Sequence, residues 1–577
     1  MSADSFSFSS RAGVCLILLV LTALALRAVP ALDYGRDWWA PGSFTLVNFD
    51  EGGSCRARLG AFNYSSVVGH QTVALASLFG DAPRGEDYGD RRAAKAYCHS
   101  REHLTVARLY SAFVGALTVL LLYSLGRQLF PAYGGVALGA SALLALSGWH
   151  INESLVGTVD AASICAIYAF FSAGVWAKRR GSWRWIVALA ALACAVTVKY
   201  WVFALVALVA LVPAGFLRAL CGGVTRQRLV LLVVLLTLVF AYATGFFLHS
   251  KLVWFLPVLF YAAVPWRSIS PAAMALCVLL PLGAPLALYS DTFVTYTSGE
   301  PLGRFGTGYA AIGWHKWLRN PINLPIIALI GMGVPGFYFA IRGTIALFRR
   351  ETFEGFWLVL LPLPAFALYM AFLAPVTYYR HYLPLLPALC LLAALGIAQL
   401  ERRRRRLAWT LVLAWQGLLA VDLVSDYHFD PRRELQSWVA DARPTTILSS
   451  YYVNAPPAPG LRRGLLSAAR AAPSAHKFAL ADYVLLSENW YDTAFANELN
   501  GPLVNHPDRL IKTTPAAVSF YRSALAGEHD MLKVEKRFRL PTYMPELLVH
   551  RLAYGSFTQF VGDLVILRVS APRGAAE

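Results

Sequence analysis

Long apolar runs separated by short basic linkers occupy the chain from Val14 to Val421. The pattern predicts membrane-crossing helices over Val14–Val29, Val106–Leu125, Gly134–Trp149, Val159–Ala177, Trp185–Val198, Trp201–Leu217, Leu229–Leu248, Leu252–Pro265, Pro271–Tyr289, Leu324–Ile341, Phe356–Ala374, Tyr382–Leu400 and Leu407–Leu423. That makes about thirteen crossings, several short enough to need tilt or neighbours to span a hydrocarbon core. After Ser425 the pattern changes. TTILSSYYV, ADYVLLS, ELLVHRL and DLVILRV alternate as short strands. DPRRELQSWVADA reads as an amphipathic helix with Asp430 as its cap, Pro431 in its first turn and Leu435, Trp438 and Val439 as its buried stripe. The expected architecture is therefore a polytopic α-helical membrane protein, with a transmembrane domain over 1–424 and an α/β domain of about 150 residues over 425–577.

Charge sets the sidedness. Lys178-Arg179-Arg180, Arg226 with Arg228, Arg349-Arg350 and Arg402 to Arg406 all lie between apolar runs. An N-terminus in the cytoplasm places every one of these linkers on the cytoplasmic side, as the positive-inside bias requires. The first outer loop (about 33–105), the loop Ser290–Asn323 and the whole α/β domain then face outward. We read the first apolar segment as a retained helix, with a cleaved signal peptide as the alternative.

Composition agrees with this layout. Of 577 residues, 57% are hydrophobic and only 15% charged, below the quarter or so usual in soluble domains. The net charge of +18 is distributed as topology signals, which argues against nucleic acid as a partner. Six cysteines lie in or beside apolar runs. Cys55 and Cys98 stand in the polar first loop, where an oxidising compartment would favour a disulfide between them. The short loops suggest a bacterial inner membrane with the site facing the periplasm; an endoplasmic reticulum lumen would give the same sidedness.

Polar residues that could carry chemistry gather at the outer helix ends. Asp50 and Glu51 lie in LVNFDEGGSC, and Asp160 heads an apolar helix in WHINESLVGTVDAAS. Lys199 follows the fifth segment, Arg304 lies in the long outer loop, and Arg380 and His381 open the twelfth segment in YYRHY. Lys95 and Arg101 stand late in the first loop. Ionisable groups at membrane depth are costly and usually functional. Acids, lysine and arginine on one outer face suit a phosphate-bearing lipid, with arginine forking onto phosphate oxygens and a carboxylate acting as base toward an acceptor.

In their order these features resemble the GT-C superfamily of membrane glycosyltransferases, especially the protein O-mannosyltransferases and the bacterial aminoarabinose transferases that modify lipid A. FDE at 49–51 matches their first-loop acid pair. LTVARLYSAFVGALTVLLLYSLGRQLF at 104–130 matches an arginine-containing second helix. HINESLVGTVDAAS, TVKY at 197–200, RHYLPLLP at 380–387, and DPRRELQSWV with ADYVLLSENWYD match later motifs.

The resemblance implies transfer of a sugar from a polyprenyl-phosphate donor by one inverting displacement. Asp50 would be the base, with Glu51 either a second acid or a residue that positions Asp50. Asp160 would orient acceptor or donor sugar. Lys199 and Arg380, backed by His381, Arg304, Lys95 and Arg101, would bind the donor phosphate. No cofactor is required; a divalent metal shared by Asp50 and Asp160 stays open. The partners implied are the lipid-phosphate sugar, membrane lipids and a lipid, glycan or protein acceptor. A transporter or flippase of a lipid-linked saccharide is the rival reading; it predicts internal symmetry and mid-membrane polar groups, which the sequence does not show.

Overall fold

The computed structural model describes residues 10–39, 44–48, 50–59, 67–80, 90–180, 314–348, 379–450, 453–466, 515–540 and 562–570, with scattered positions in 187–198, 363–367 and 473–495. Among these residues, four helices are long and apolar enough to cross a membrane, or five if one bent pair counts as a span. The chain is an integral membrane protein. The expected segments from Trp201–Leu217 to Pro271–Tyr289 lie outside the described residues, so the expected thirteen crossings are not counted here.

Helix α1 (Ser10–Asp33) is followed in the first loop by α2 (Gly53–Arg58), α3 (Val67–Ala76) and α4 (Arg91–Cys98). Two long helices then return through the body, α5 (Arg101–Leu129) and α8 (Asp160–Arg180), with α6 (Gly134–Ala145) and α7 (Gly148–Ser154) between them. α9 (Trp314–Phe348), a 3-10 turn (Tyr379–Leu385) leading into α10 (Leu386–Ala398), and α11 (Arg402–His428) complete the described membrane body. Starts are capped as the sequence dictates: Ser100 accepts from the His103 amide at 3.2 Å, and Asp90 from the Arg92 amide at 2.8 Å. A lipid-facing stripe on α11 includes Leu407, Leu411, Leu418 and Val421, all exposed.

The single helix expected over Gly134–Trp149 is instead bent by 61° between α6 and α7. At the bend the carbonyls ending α6 lose part of the helical ladder, with the Ser147 amide still donating to Leu144 O at 3.3 Å, and a buried arginine adds further donors. Arg27 of α1 donates to Leu144 O and Ala145 O, each at 3.2 Å, and its guanidinium lies 2.7 Å from His150 Nδ1. A second repair lies in α9, where Gly333 breaks the helix with φ 66°. Pro335 has no N–H to offer the Gly331 carbonyl four residues back. Ser147 Oγ at 2.8 Å and Gln416 Nε2 at 3.1 Å donate to that carbonyl instead. Kinked backbone is thus held where neighbouring helices satisfy it.

After α11 the chain forms α12 (Arg432–Ala442) and then a five-stranded mixed sheet. Its strands are β1 (Thr446–Ser449), β2 (Arg462–Leu465), β3 (Tyr483–Ser487), β4 (Leu532–Phe538) and β5 (Leu564–Val569), in the order β2-β1-β3-β5-β4. β1 runs parallel to β2 and β3, while β5 runs antiparallel to β3 and β4. Leu435 and Val439 of α12 are buried against Ile447, Leu485 and Ile566, with Trp438 beside them. Asp430 accepts from the Arg432 amide at 2.9 Å, which is the capping bond expected of it. β2 and β4 escaped the sequence pattern because both are edge strands. RRGL is mostly exposed, and LKVEKRF carries charges and an irregularity at Val534/Lys536. ELLVHRL lies outside the described residues.

α9 and α10 cross at backbone contact. A Cβ on Gly343 would lie 1.8 Å from Leu392 O, and one on Gly396 would lie 2.1 Å from Phe339 O. Small residues let membrane helices approach this closely. Gly343→Leu is therefore expected to force the pair apart and destabilise the protein by roughly 1–3 kcal/mol. Thermal unfolding of the detergent-solubilised protein, followed by tryptophan fluorescence, checks this; an unchanged midpoint would contradict the packing.

Candidate active site

The acid pair sits on a tight turn that aims its two carboxylates apart. The Glu51 amide donates to Asn48 O at 3.1 Å, the Asp50 amide to Asn48 Oδ1 at 2.8 Å, and the Gly53 amide to Asp50 O at 2.9 Å. Gly52 follows with φ 71°, and a Cβ there would lie 2.8 Å from Cys98 O. Both conditions demand glycine. The turn is tied down at once, because Cys55 in α2 is joined by a disulfide to Cys98 at the end of α4. Both cysteines are buried with Leu59, Val73 and Ala94.

Glu51 points inward and is fully buried. Its Oε1 accepts from Arg108 Nε at 2.8 Å and its Oε2 from Arg108 NH2 at 2.9 Å. Two amides complete the shell, Val47 N at 3.2 Å and Gly157 N at 3.1 Å. Burial pushes the Glu51 pKa up; the Arg108 charge and these hydrogen bonds outweigh it and leave it below the usual carboxylate value. Arg108 in turn donates to Ala31 O at 3.4 Å, to Thr45 O at 3.4 Å and to Tyr34 O, and lies 4.8 Å over the Phe44 ring. One ion pair thereby joins the end of α1, the first loop, α5 and the α7–α8 connection.

Asp50 points the other way. Its Oδ2 lies 2.6 Å from Arg380 NH2, with the two side chains 27% and 13% exposed. Arg380 belongs to the 3-10 turn before α10, so that turn and the first loop meet at this carboxylate. Arg56 is a second cation nearby: burial lowers its pKa, and the Asp50 charge acts in the opposite sense. His99, at the end of α4, is held neutral, its pKa lowered to about 4 by burial and then by the Arg56 and Lys95 charges. The Asp50 turn therefore stands among several basic side chains.

The other expected residues are placed as follows. Asp160 is buried at the first position of α8, where the helix N-terminus favours a carboxylate, and accepts from Thr158 Oγ1 at 3.2 Å. The Gly157–Glu51 bond brings that segment against the acid turn. Lys95 is exposed on α4, and Arg101 begins α5, half-buried. His381 is half-buried beside Arg380. Lys199 and Arg304 lie outside the described residues. Among the described residues no group of three His, Cys, Asp or Glu side chains could hold a metal ion. Sequence reasoning missed Arg108 as the partner of Glu51; its signal was a lone arginine among apolar residues in LTVARLY.

No protein-family model matches the sequence, and none of the curated proteins compared with it matches. The structure is similar to ArnT from Cupriavidus metallidurans bound to undecaprenyl phosphate, with 15% identity, TM-score 0.43, and 75% of this chain and 73% of that chain covered. It is also similar to the Archaeoglobus fulgidus oligosaccharyltransferase in the apo form, with 12% identity, TM-score 0.46, and coverage of 98% and 89%. The same enzyme, AglB, in complex with an inhibitory peptide and a dolichol-phosphate gives the same identity of 12% and TM-score of 0.46.

The Glu51–Arg108 pair makes a pH-dependent contribution of defined sign. A depressed folded pKa stabilises fully above the unfolded value of 4.5, and the contribution is lost as pH falls through the lower folded value. Glu51→Gln is expected to cost about 3 kcal/mol near pH 7, because it strands a buried guanidinium, and the deficit should shrink below pH 4.5. Denaturant unfolding at several pH values measures both; equal stability of variant and parent at pH 7 would contradict the role.

Proposed function

We propose that the chain is a membrane glycosyltransferase that moves a sugar from a polyprenyl-phosphate donor to an acceptor hydroxyl or amine on the extracytoplasmic face. The observation that carries this reading is the divided acid pair: one carboxylate is sealed into the fold and the other is presented, partly exposed, among cations. The order of sequence motifs supplies the reaction class. Asp50 takes the proton from the acceptor as its oxygen or nitrogen bonds to the anomeric carbon. The bond from that carbon to the phosphate oxygen breaks on the opposite face, and the polyprenyl phosphate departs with the electron pair. That leaving group is already an anion, so it needs charge stabilisation more than a proton.

Arg380 has two partners in this scheme. Without donor it pairs with Asp50; with donor present it turns to the phosphate and leaves Asp50 able to accept a proton. Lys199, Arg304, His381, Lys95 and Arg101 are assigned to the phosphate as a group, and Asp160 to orienting a sugar. The bacterial inner membrane, with the site and α/β domain in the periplasm, is the setting we propose. Protein, glycan and lipid acceptors all satisfy the chemistry.

Transfer assays with purified protein and polyprenyl-phosphate sugars test the reading. Asp50→Asn is expected to lower kcat by roughly 10²–10⁴-fold, the range lost with a general base, with the unfolding midpoint unchanged. Full activity in folded Asp50→Asn protein would remove Asp50 as the base.

A further inference from the structure

Tyr34 belongs to two networks at once. Its backbone carbonyl accepts from Arg108, the arginine that holds Glu51. Its hydroxyl donates to Asp430 Oδ2 at 2.9 Å and accepts from Arg432 NH2 at 2.7 Å. Arg432 closes the second network by donating from Nε to Asp430 Oδ1 at 2.9 Å and from NH2 to Asp430 Oδ2 at 2.7 Å. Tyr34, Asp430 and Arg432 are all buried.

The surroundings reinforce the junction. Arg433 pairs with Asp33 at 2.6 Å and lies 5.1 Å over the Trp38 ring. The Tyr34 ring packs 4.4 Å from Tyr427, whose hydroxyl donates to Asn152. Leu540, just beyond β4, packs in the same apolar cluster as Tyr34, Trp38 and Val47. Val47 is the residue whose amide donates to Glu51. The helix that begins the α/β domain is thus fastened to the stretch of chain that carries the acid turn. Exposed ion pairs would make a weak, screened docking contact. Removing a buried hydroxyl from a buried ion pair costs each charged group one hydrogen bond that water cannot replace.

We propose that Tyr34 is a positioning residue: its hydroxyl couples docking of the α/β domain, through Asp430 and Arg432, to the Arg108–Glu51 pair and so to the placement of Asp50. The kinetic consequence rests on the glycosyl-transfer reading; the structural one does not. Tyr34→Phe removes the hydroxyl and keeps the ring and the backbone carbonyl. Amide hydrogen exchange on the full-length protein in detergent is the direct test. The Asp50, Glu51 and Gly53 amides, each hydrogen-bonded in the turn, should exchange about tenfold faster in the variant, the scale of one lost buried hydrogen bond.

In the transfer assay kcat should fall by a similar factor while the donor KM holds, since the Tyr34 side chain is buried in the junction and acts through the turn. Asp430→Asn, nearly the same shape, should reproduce both effects, and its combination with Tyr34→Phe should be no worse than either alone. Faster exchange confined to α12, with the turn as protected as in the parent, overturns the proposal, as do additive losses in the double variant. If the parent protein transfers no sugar, the functional reading fails, and exchange in the turn still decides the coupling.

Discussion

The buried pair between Glu51 and Arg108 is the constraint on which the acid turn and the segments around it depend. Two charges removed from water repay their desolvation only with good geometry and satisfied neighbours. Here the fork is bidentate, two amides complete the carboxylate, and three backbone carbonyls complete the guanidinium. The bonds come from four parts of the chain, so the pair forms only when α1, the first loop, α5 and the α7–α8 connection are all in place. Adjacent acids on one tight turn cannot both face inward. Fixing Glu51 therefore presents Asp50 to the other side.

The same logic of satisfying polar groups at depth runs through the membrane body. Arg27 supplies donors to the carbonyls at the end of α6, and Ser147 and Gln416 supply them to the carbonyl that Pro335 deprives. These breaks are sustained by side chains from distant segments. They allow α7 to run at an angle to α6 and deliver the segment around Gly157 to Glu51.

Much of this was legible in the sequence, and what was not has identifiable causes. The apolar runs located α1, α5, α8, α10 and α11, because membrane-crossing helices, buried among neighbours or facing lipid, are apolar along their length. Strands β1, β3 and β5 showed as apolar runs because they are central in the sheet. β2 and β4 did not, since edge strands carry charge where they meet water. Within the site, FDE identified the acids but could not say which faced inward. That choice depends on Arg108, which lies 57 positions away. The bend after α6 carried only a local signal, Ser147-Gly148 in ALSGWH, set inside a run otherwise apolar enough to predict one helix. Tyr34 gave no signal at all, since its role comes from the 396-position separation it spans to Asp430.

In the proposed reaction Glu51 holds the turn and Asp50 acts as the base, with Arg380 covering Asp50 until donor arrives. Arg380 and Asp50 lie 2.6 Å apart. Cryo-electron microscopy of the protein with and without bound polyprenyl phosphate measures that separation directly. Arg380 is expected to leave Asp50 for the phosphate while the Glu51–Arg108 fork stays closed. A phosphate bound elsewhere, with Arg380 still on Asp50, would contradict it.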